Sequence, residues 1–133
     1  MSRAARPKAS VQEPVRPIDW AALRPKVTDA LLQEMTQRIV EAFHPYKVIL
    51  FGSYAYGTPH EDSDIDLLVI MDSDESMSKR MIQVREVAKI PFLPMDILVY
   101  TPEEIKKRLE IGDFFFIEIL EKGKVLYARD SSG

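Results

Sequence analysis

Apolar residues recur at two periods along this chain, and the alternation of those periods lays out an α/β domain. Leu31, Leu32, Met35, Ile39, Val40 and Phe43 fall at helical spacing. Thr28 is placed to cap that helix and Pro45 to end it. Lys47–Phe51 is a short β-type run that predicts a first strand, and Gly52 breaks it. Ser53–Tyr56 has the length of one helical turn, and residues 57–63 carry the turn formers Gly, Pro and Asp. Asp64–Met71 is apolar along most of its length, as an interior strand is. Residues 78–90 predict a second long helix, with Met81, Ile82, Val84, Val87 and Ala88 as its apolar positions. Pro91 and Pro94 bracket the break before a third strand, Met95–Tyr100. Thr101-Pro102-Glu103-Glu104 then forms a capping box: Thr as N-cap, Pro at the first helical position and Glu at the third. That helix runs to near Gly112. Asp113 caps another through Glu121, Gly123 stops it, and residues 124–127 predict a final strand. The expected fold class is α/β, a small sheet of about four strands flanked by helices.

Composition divides the chain. Residues 1–17 are rich in Pro, Arg, Ala and Ser and hold little that a core would bury. Residues 18–27, with Ile18, Trp20 and Leu23, have the side chains to dock on the body. Residues 1–27 are therefore read as a flexible basic leader, 28–128 as the domain proper and 129–133 as a frayed tail. The leader carries six Lys/Arg against two acids, a balance of +4, and the remainder twelve against nineteen, −7, which together give the net −3. So acidic a body argues against general nucleic-acid binding. The basic leader reads either as a docking segment for a partner or RNA, or as a solvated extension. With no cysteine, disulfides, thiolate zinc and thiol catalysis are excluded, and His44 and His60 are too few for a His-rich metal site. The longest apolar run, near Phe114–Leu120, falls far short of the ~20 residues a membrane span needs. Nor does any apolar stretch before Trp20 suit a secretory signal. No membrane association is expected, and the cytoplasm is the default location.

The chemistry is concentrated in residues 51–66. Gly52-Ser53 follows directly on the first strand, and Asp64-Ile65-Asp66 opens the second. Gly52 lets the backbone approach a ligand without a Cβ, and Ser53 offers a hydroxyl at the start of a helical turn, where an anion is favoured. Two carboxylates at i and i+2 of a strand share a face and repel by roughly 3 kcal/mol at ~6 Å and an effective dielectric near 20. Bound Mg²⁺ removes that cost, and it needs only one or two carboxylates beside substrate phosphates. Alone, the Asp pair reads equally well as two caps at a strand entrance, and Gly-Ser as an ordinary turn. Together, four such residues at fixed places arise by chance with a probability on the order of 10⁻³. Asp96, early in the third strand, is a third acid; it faces the pair if that strand lies beside the second, and could then assist an attacking hydroxyl. It reads otherwise as one more strand-entrance Asp.

This arrangement, Gly52-Ser53, ten residues, then Asp64-Ile65-Asp66 with Asp96 on a later strand, resembles the minimal nucleotidyltransferases of the DNA polymerase β-like superfamily. The ending Phe114–Tyr127 resembles the close of such domains, and the likeness covers about residues 30–128. The resemblance implies a small mixed β-sheet with flanking helices, the nucleotidyltransferase fold. It implies that Asp64 and Asp66 hold two Mg²⁺ ions, that Asp96 completes one of the two metal sites, and that Gly52 and Ser53 grip the triphosphate. The implied reaction moves a nucleoside monophosphate, AMP from ATP, onto a hydroxyl and releases pyrophosphate. Many stand-alone members are antitoxins that pair with a HEPN-domain toxin, and some modify a toxin tyrosine; a HEPN partner and a hetero-oligomer are the corresponding expectations. The family often has Arg directly after Gly-Ser, where this chain has Tyr54. Lys47, Lys79 and Arg80 are candidates to supply the cation. Tyr54 and Tyr56 read as core packing, base-stacking platforms or self-modified acceptors. Tyr54 also leaves open an inactive relative that neutralises a partner by contact. A third alternative is transfer to a small molecule or RNA with help from a second subunit. One residue of the triplet Phe114–Phe116 is expected to lie exposed, as a partner surface, unless the domain covers the helix on several sides.

Overall fold

The structure is a computed structural model that describes residues 16–60 and 63–130, apart from the side chain of Ala21. The leader up to residue 15, Glu61 and Asp62 of the predicted loop, and residues 131–133 of the predicted tail lie outside the described residues. A short helix α1 (Trp20–Leu23) precedes α2 (Asp29–Phe43), strand β1 (Lys47–Phe51), the single turn α3 (Ser53–Tyr56) and β2 (Ile65–Ile70). Then follow α4 (Met77–Ala88), β3 (Met95–Tyr100), α5 (Pro102–Glu110), α6 (Phe114–Lys122) and β4 (Lys124–Ala128). Each predicted element is present, with ends moved by a residue or two.

The caps behave as their residue types require. The Thr28 hydroxyl accepts from the Leu31 amide at the start of α2, and Ser76 does the same for α4 from Lys79. At α5 the full capping box forms: Thr101 accepts from the Glu104 amide while the Glu104 carboxylate accepts from the Thr101 amide.

The sheet is mixed and runs β3-β2-β1-β4. β1 lies antiparallel to both β2 and β4, whereas β2 and β3 are parallel and joined through α4. One face packs on α2 and α4: Leu32, Met35 and Ile39 with Val84 and Ala88 cover Val48, Leu50, Ile65, Leu67, Val69, Ile97 and Val99. The other face packs on α5 and α6: Ile105, Phe116 and Ile119 cover Ile49, Phe51, Leu68 and Ile70. The inner strands β1 and β2 are thus buried on both faces, which explains why their sequences run apolar rather than alternating. Each such buried aliphatic side chain contributes about 1.5–3 kcal/mol.

Among the described residues one cation lies inside. Arg80 of α4 is only 6% exposed; it holds the Glu104 carboxylate bidentately at 2.7 and 3.1 Å and also donates to the carbonyls of Val99 and Glu75. The guanidinium beside Glu104 pulls that carboxyl down to about 2. Because the folded-state value is depressed, the stabilisation is present above the ordinary glutamate range near 4.5 and is lost as pH falls toward about 2. Glu104→Gln is expected to cost about 2 kcal/mol at neutral pH, since it strands a buried guanidinium and weakens the capping box. Urea unfolding at a series of pH values checks this: the variant's stability should fall less steeply between pH 5 and pH 2 than that of the wild type.

The last described residues are tied down. The Arg129 amide donates to the Tyr46 carbonyl at 2.8 Å, and its guanidinium sits 4.1 Å above the Tyr46 ring. The Phe triplet divides: Phe116 is buried, while Phe114 and Phe115 are 83% and 50% exposed. Two rings face solvent, not one, because an α-helix presents only a stripe to the sheet and three consecutive positions span more than that stripe.

Candidate active site

Parallel pairing of β2 and β3 sets the site. Asp66 is the register partner of Asp96, just as Leu68 pairs Leu98 and Ile70 pairs Tyr100. Side chains alternate along each strand, so Asp66 and Asp96 project on the α5/α6 face, which Phe116, Ile105 and their neighbours cover further along. Asp64 stands two residues before Asp66, just ahead of β2. Neighbouring strands run about 4.8 Å apart, so Asp66 and Asp96 stand side by side at one end of the sheet. Asp64 and Asp96 are exposed and Asp66 is half-buried. Burial first, then the charges of Asp96 and Asp64, push the Asp66 carboxyl up to about 6. Among the described residues no hydrogen bond or ion pair engages any of the three carboxylates.

Gly52 forms the other wall. It adopts φ 74°, ψ −155°, a conformation all but restricted to glycine. A Cβ built there would come 2.1 Å from Asp66 Oδ2. The bare backbone of the Gly-Ser turn is therefore set directly against the half-buried carboxylate. Ser53 begins α3 immediately after it, and Gly57 lies close enough that a Cβ there would come 2.8 Å from Ser53 Cα. The five residues singled out from the sequence, Gly52, Ser53, Asp64, Asp66 and Asp96, are gathered at this one end of the sheet.

The candidate replacement cations are elsewhere. Lys47 pairs with Ile70 at the far end of β1, Lys79 pairs with Glu75 at 3.2 Å, and Arg80 is held by Glu104. Among the described residues a cation that does reach the motif is Arg24, which donates to the Tyr54 hydroxyl at 3.2 Å. Sequence reasoning passed over it because it lies twenty-eight positions before Gly52, in a segment read as leader. Tyr54 itself packs against the α2/α4 core and Tyr56 against the α5/α6 core, so both are packing residues.

The carboxylates suit Mg²⁺ by their chemistry. Hard oxygen donors crowd at one strand end, uncompensated, beside a backbone that a ligand can approach. Among the described residues no three His, Asp or Glu side chains are placed so that they could hold a metal ion between them. An open set of this kind fits an ion that takes its remaining ligands from water and phosphate.

The model of the nucleotidyltransferase domain family matches residues 32–127, and the chain belongs to that family. Within it the chain is of the minimal nucleotidyltransferase type, and it is a nucleotidyltransferase enzyme. Two relatives come from Methanocaldococcus jannaschii, both named by inference as protein adenylyltransferases. MJ0604 is 34% identical over 86 residues, covering 61% of this chain and 77% of its own. MJ1305 is 32% identical over 114 residues, covering 80% and 76%. A crystal structure from Sulfolobus solfataricus, described as an inferred nucleotidyltransferase, superposes with a TM-score of 0.56 at 17% identity, over 89% of this chain and 96% of that one. That likeness shows the shared fold. Among the described residues no helix is long and apolar enough to cross a membrane.

Proposed function

We propose that this nucleotidyltransferase moves AMP from ATP onto a hydroxyl of a partner protein, a tyrosine of a HEPN-type toxin, and so acts as an antitoxin. The observation that carries the nucleotidyl chemistry is the register pair Asp66–Asp96, with Gly52 closed against Asp66. The protein acceptor is supported by the two relatives named as protein adenylyltransferases. The HEPN partner is drawn from the family resemblance of the motifs.

Asp64 and Asp66 would hold Mg²⁺, with Asp96 joining on the side of the acceptor. When bound, the ion neutralises phosphate charge and aligns the α-phosphate for in-line displacement. Gly52 admits the phosphate chain against its backbone, and the Ser53 hydroxyl donates to a phosphate oxygen. Asp96 takes the proton from the acceptor hydroxyl as its oxygen bonds to the α-phosphorus. The bond from that phosphorus to the bridging oxygen breaks, and pyrophosphate leaves. The half-buried setting of Asp66 keeps bulk water off one side of the reacting phosphate, which strengthens each charge interaction there.

The test is transfer of label from ATP carrying ³²P at the α-position to a co-purified HEPN-domain partner in the presence of Mg²⁺. Label on a partner tyrosine, matched by pyrophosphate release and lost with EDTA, is the expected result. A partner that stays unlabelled while ATP is not consumed would refute the reading.

A further inference from the structure

One guanidinium behind the site touches both of its halves. Arg24, directly after α1, donates through Nη2 to the Tyr54 hydroxyl and to the Ser63 backbone carbonyl. Tyr54 immediately follows Ser53 on α3, and Ser63 immediately precedes Asp64. Ser63 is itself buried and closed on His60: the His60 amide donates to the Ser63 hydroxyl at 2.9 Å, and the Ser63 amide donates to the His60 carbonyl at 2.9 Å. Tyr54 packs with the α2/α4 core, on the face opposite that from which Asp66 and Asp96 project. Arg24, bonded to Tyr54, therefore reaches the turn from that side.

We propose that Arg24 is a positioning residue, which ties the Gly-Ser turn to the foot of the metal-binding strand so that Ser53 and Asp64 serve the same triphosphate. The inference rests on the reading of those two residues given above. The β1–β2 ladder ends at the pair Phe51–Asp66, and the described residues between Tyr56 and Ile65 contain no helix or strand, so Ser53 and Asp64 lie just beyond the last paired residues. A planar guanidinium presents several N–H groups in a rigid fork, which suits it to hold two oxygens from different segments at one spacing. Misplacing a catalytic group by 1 Å costs about a hundredfold in rate, so a tie of this kind is felt in turnover more than in binding. In this chain the arginine thus works from behind the motif, through Tyr54 and Ser63, and the residue after Gly-Ser is the tyrosine that receives it.

The experiment measures hydrogen exchange and steady-state transfer on the full chain, for wild type, Arg24→Gln, Arg24→Lys and Tyr54→Phe. Arg24→Gln is expected to speed amide exchange over residues 53–56 and 64–66 by about tenfold while leaving β4 unchanged, as a local opening does. It should lower kcat by about tenfold or more with the KM for ATP within about twofold, and Arg24→Lys should recover most of that loss. Tyr54→Phe should lower kcat less, and should add nothing once Arg24 is Gln, because the two groups share one contact. Unchanged exchange in Arg24→Gln would overturn the tie. A raised KM with unchanged kcat would also overturn it, by placing Arg24 on the nucleotide itself. If the wild type transfers nothing, the functional reading fails, and the exchange data still decide whether the tie exists.

Discussion

Exchanging Asp64 and Asp66 together for asparagine is expected to abolish nucleotidyl transfer and, in metal-free protein, to make the fold harder to unfold. The loss should reach about 10³-fold or more, roughly 4 kcal/mol of barrier, because these carboxylates are two of the three proposed donors for the ion that offsets the charge of the phosphates. The gain follows from the same geometry. Asp66 is held half-buried beside two like charges, and its carboxyl is pushed up to about 6. A folded-state value above the ordinary aspartate range means that the folded state binds the proton more tightly than the unfolded chain does. Stability is then fullest below about 4, falls as pH rises through about 6, and stays lower at neutral pH. Asparagine cannot ionise, so the variant should unfold at a higher urea concentration at pH 7.5 with EDTA, and the difference should vanish near pH 4. Activity and stability moving in opposite directions would mark the pair as functional, because a merely structural pair would lose both.

Gly52→Ala carries the second large expectation. A Cβ at Gly52 would stand 2.1 Å from Asp66 Oδ2, and the residue sits at φ 74°, where an L side chain is strained whatever the space. The carboxylate has to swing away or the turn has to open. Either displaces the proposed metal donor from the proposed phosphate anchor, so kcat should drop by about a hundredfold or more. Gly112 supplies the control. Its φ is 72°, yet a Cβ there would meet nothing within 4 Å. Gly112→Ala should cost about 1 kcal/mol of stability from backbone strain alone, with transfer unchanged. Urea unfolding and steady-state transfer on both variants separate the two effects: equal losses of activity would mean that backbone strain, and not the contact with Asp66, governs the Gly52 substitution.

Much of this was legible in the sequence, for local reasons. Helix caps are read within four residues, and Thr28, Thr101 and Asp113 each do what their side chains allow. The apolar runs of β1 and β2 announced strands covered on both sides. Gly52, Ser53, Asp64 and Asp66 stood out as candidates because few other arrangements call for that combination of residue types at that spacing. Asp96 was legible only as a candidate: its place depends on β3 pairing in parallel with β2, a fact of topology that no local pattern contains. The roles of the cations were not legible. Arg80 sits in the same helical pattern as surface charges, and its partner Glu104 lies twenty-four positions on. Arg24 is separated from Ser63 by thirty-nine. Side-chain hydrogen bonds over such distances follow from the packed fold and leave no periodicity behind.

The central claim, that Asp64, Asp66 and Asp96 form one metal-dependent site against the Gly-Ser turn, is tested most directly by a crystal structure with Mg²⁺ and a non-hydrolysable ATP analogue. The predicted result has oxygens of Asp64 and Asp66 at about 2.0–2.1 Å from an ion that also binds the phosphates, with Asp96 on the same side and the phosphate chain against Gly52 and Ser53. A nucleotide bound on the α2/α4 face, or an ion that touches none of the three aspartates, would contradict it.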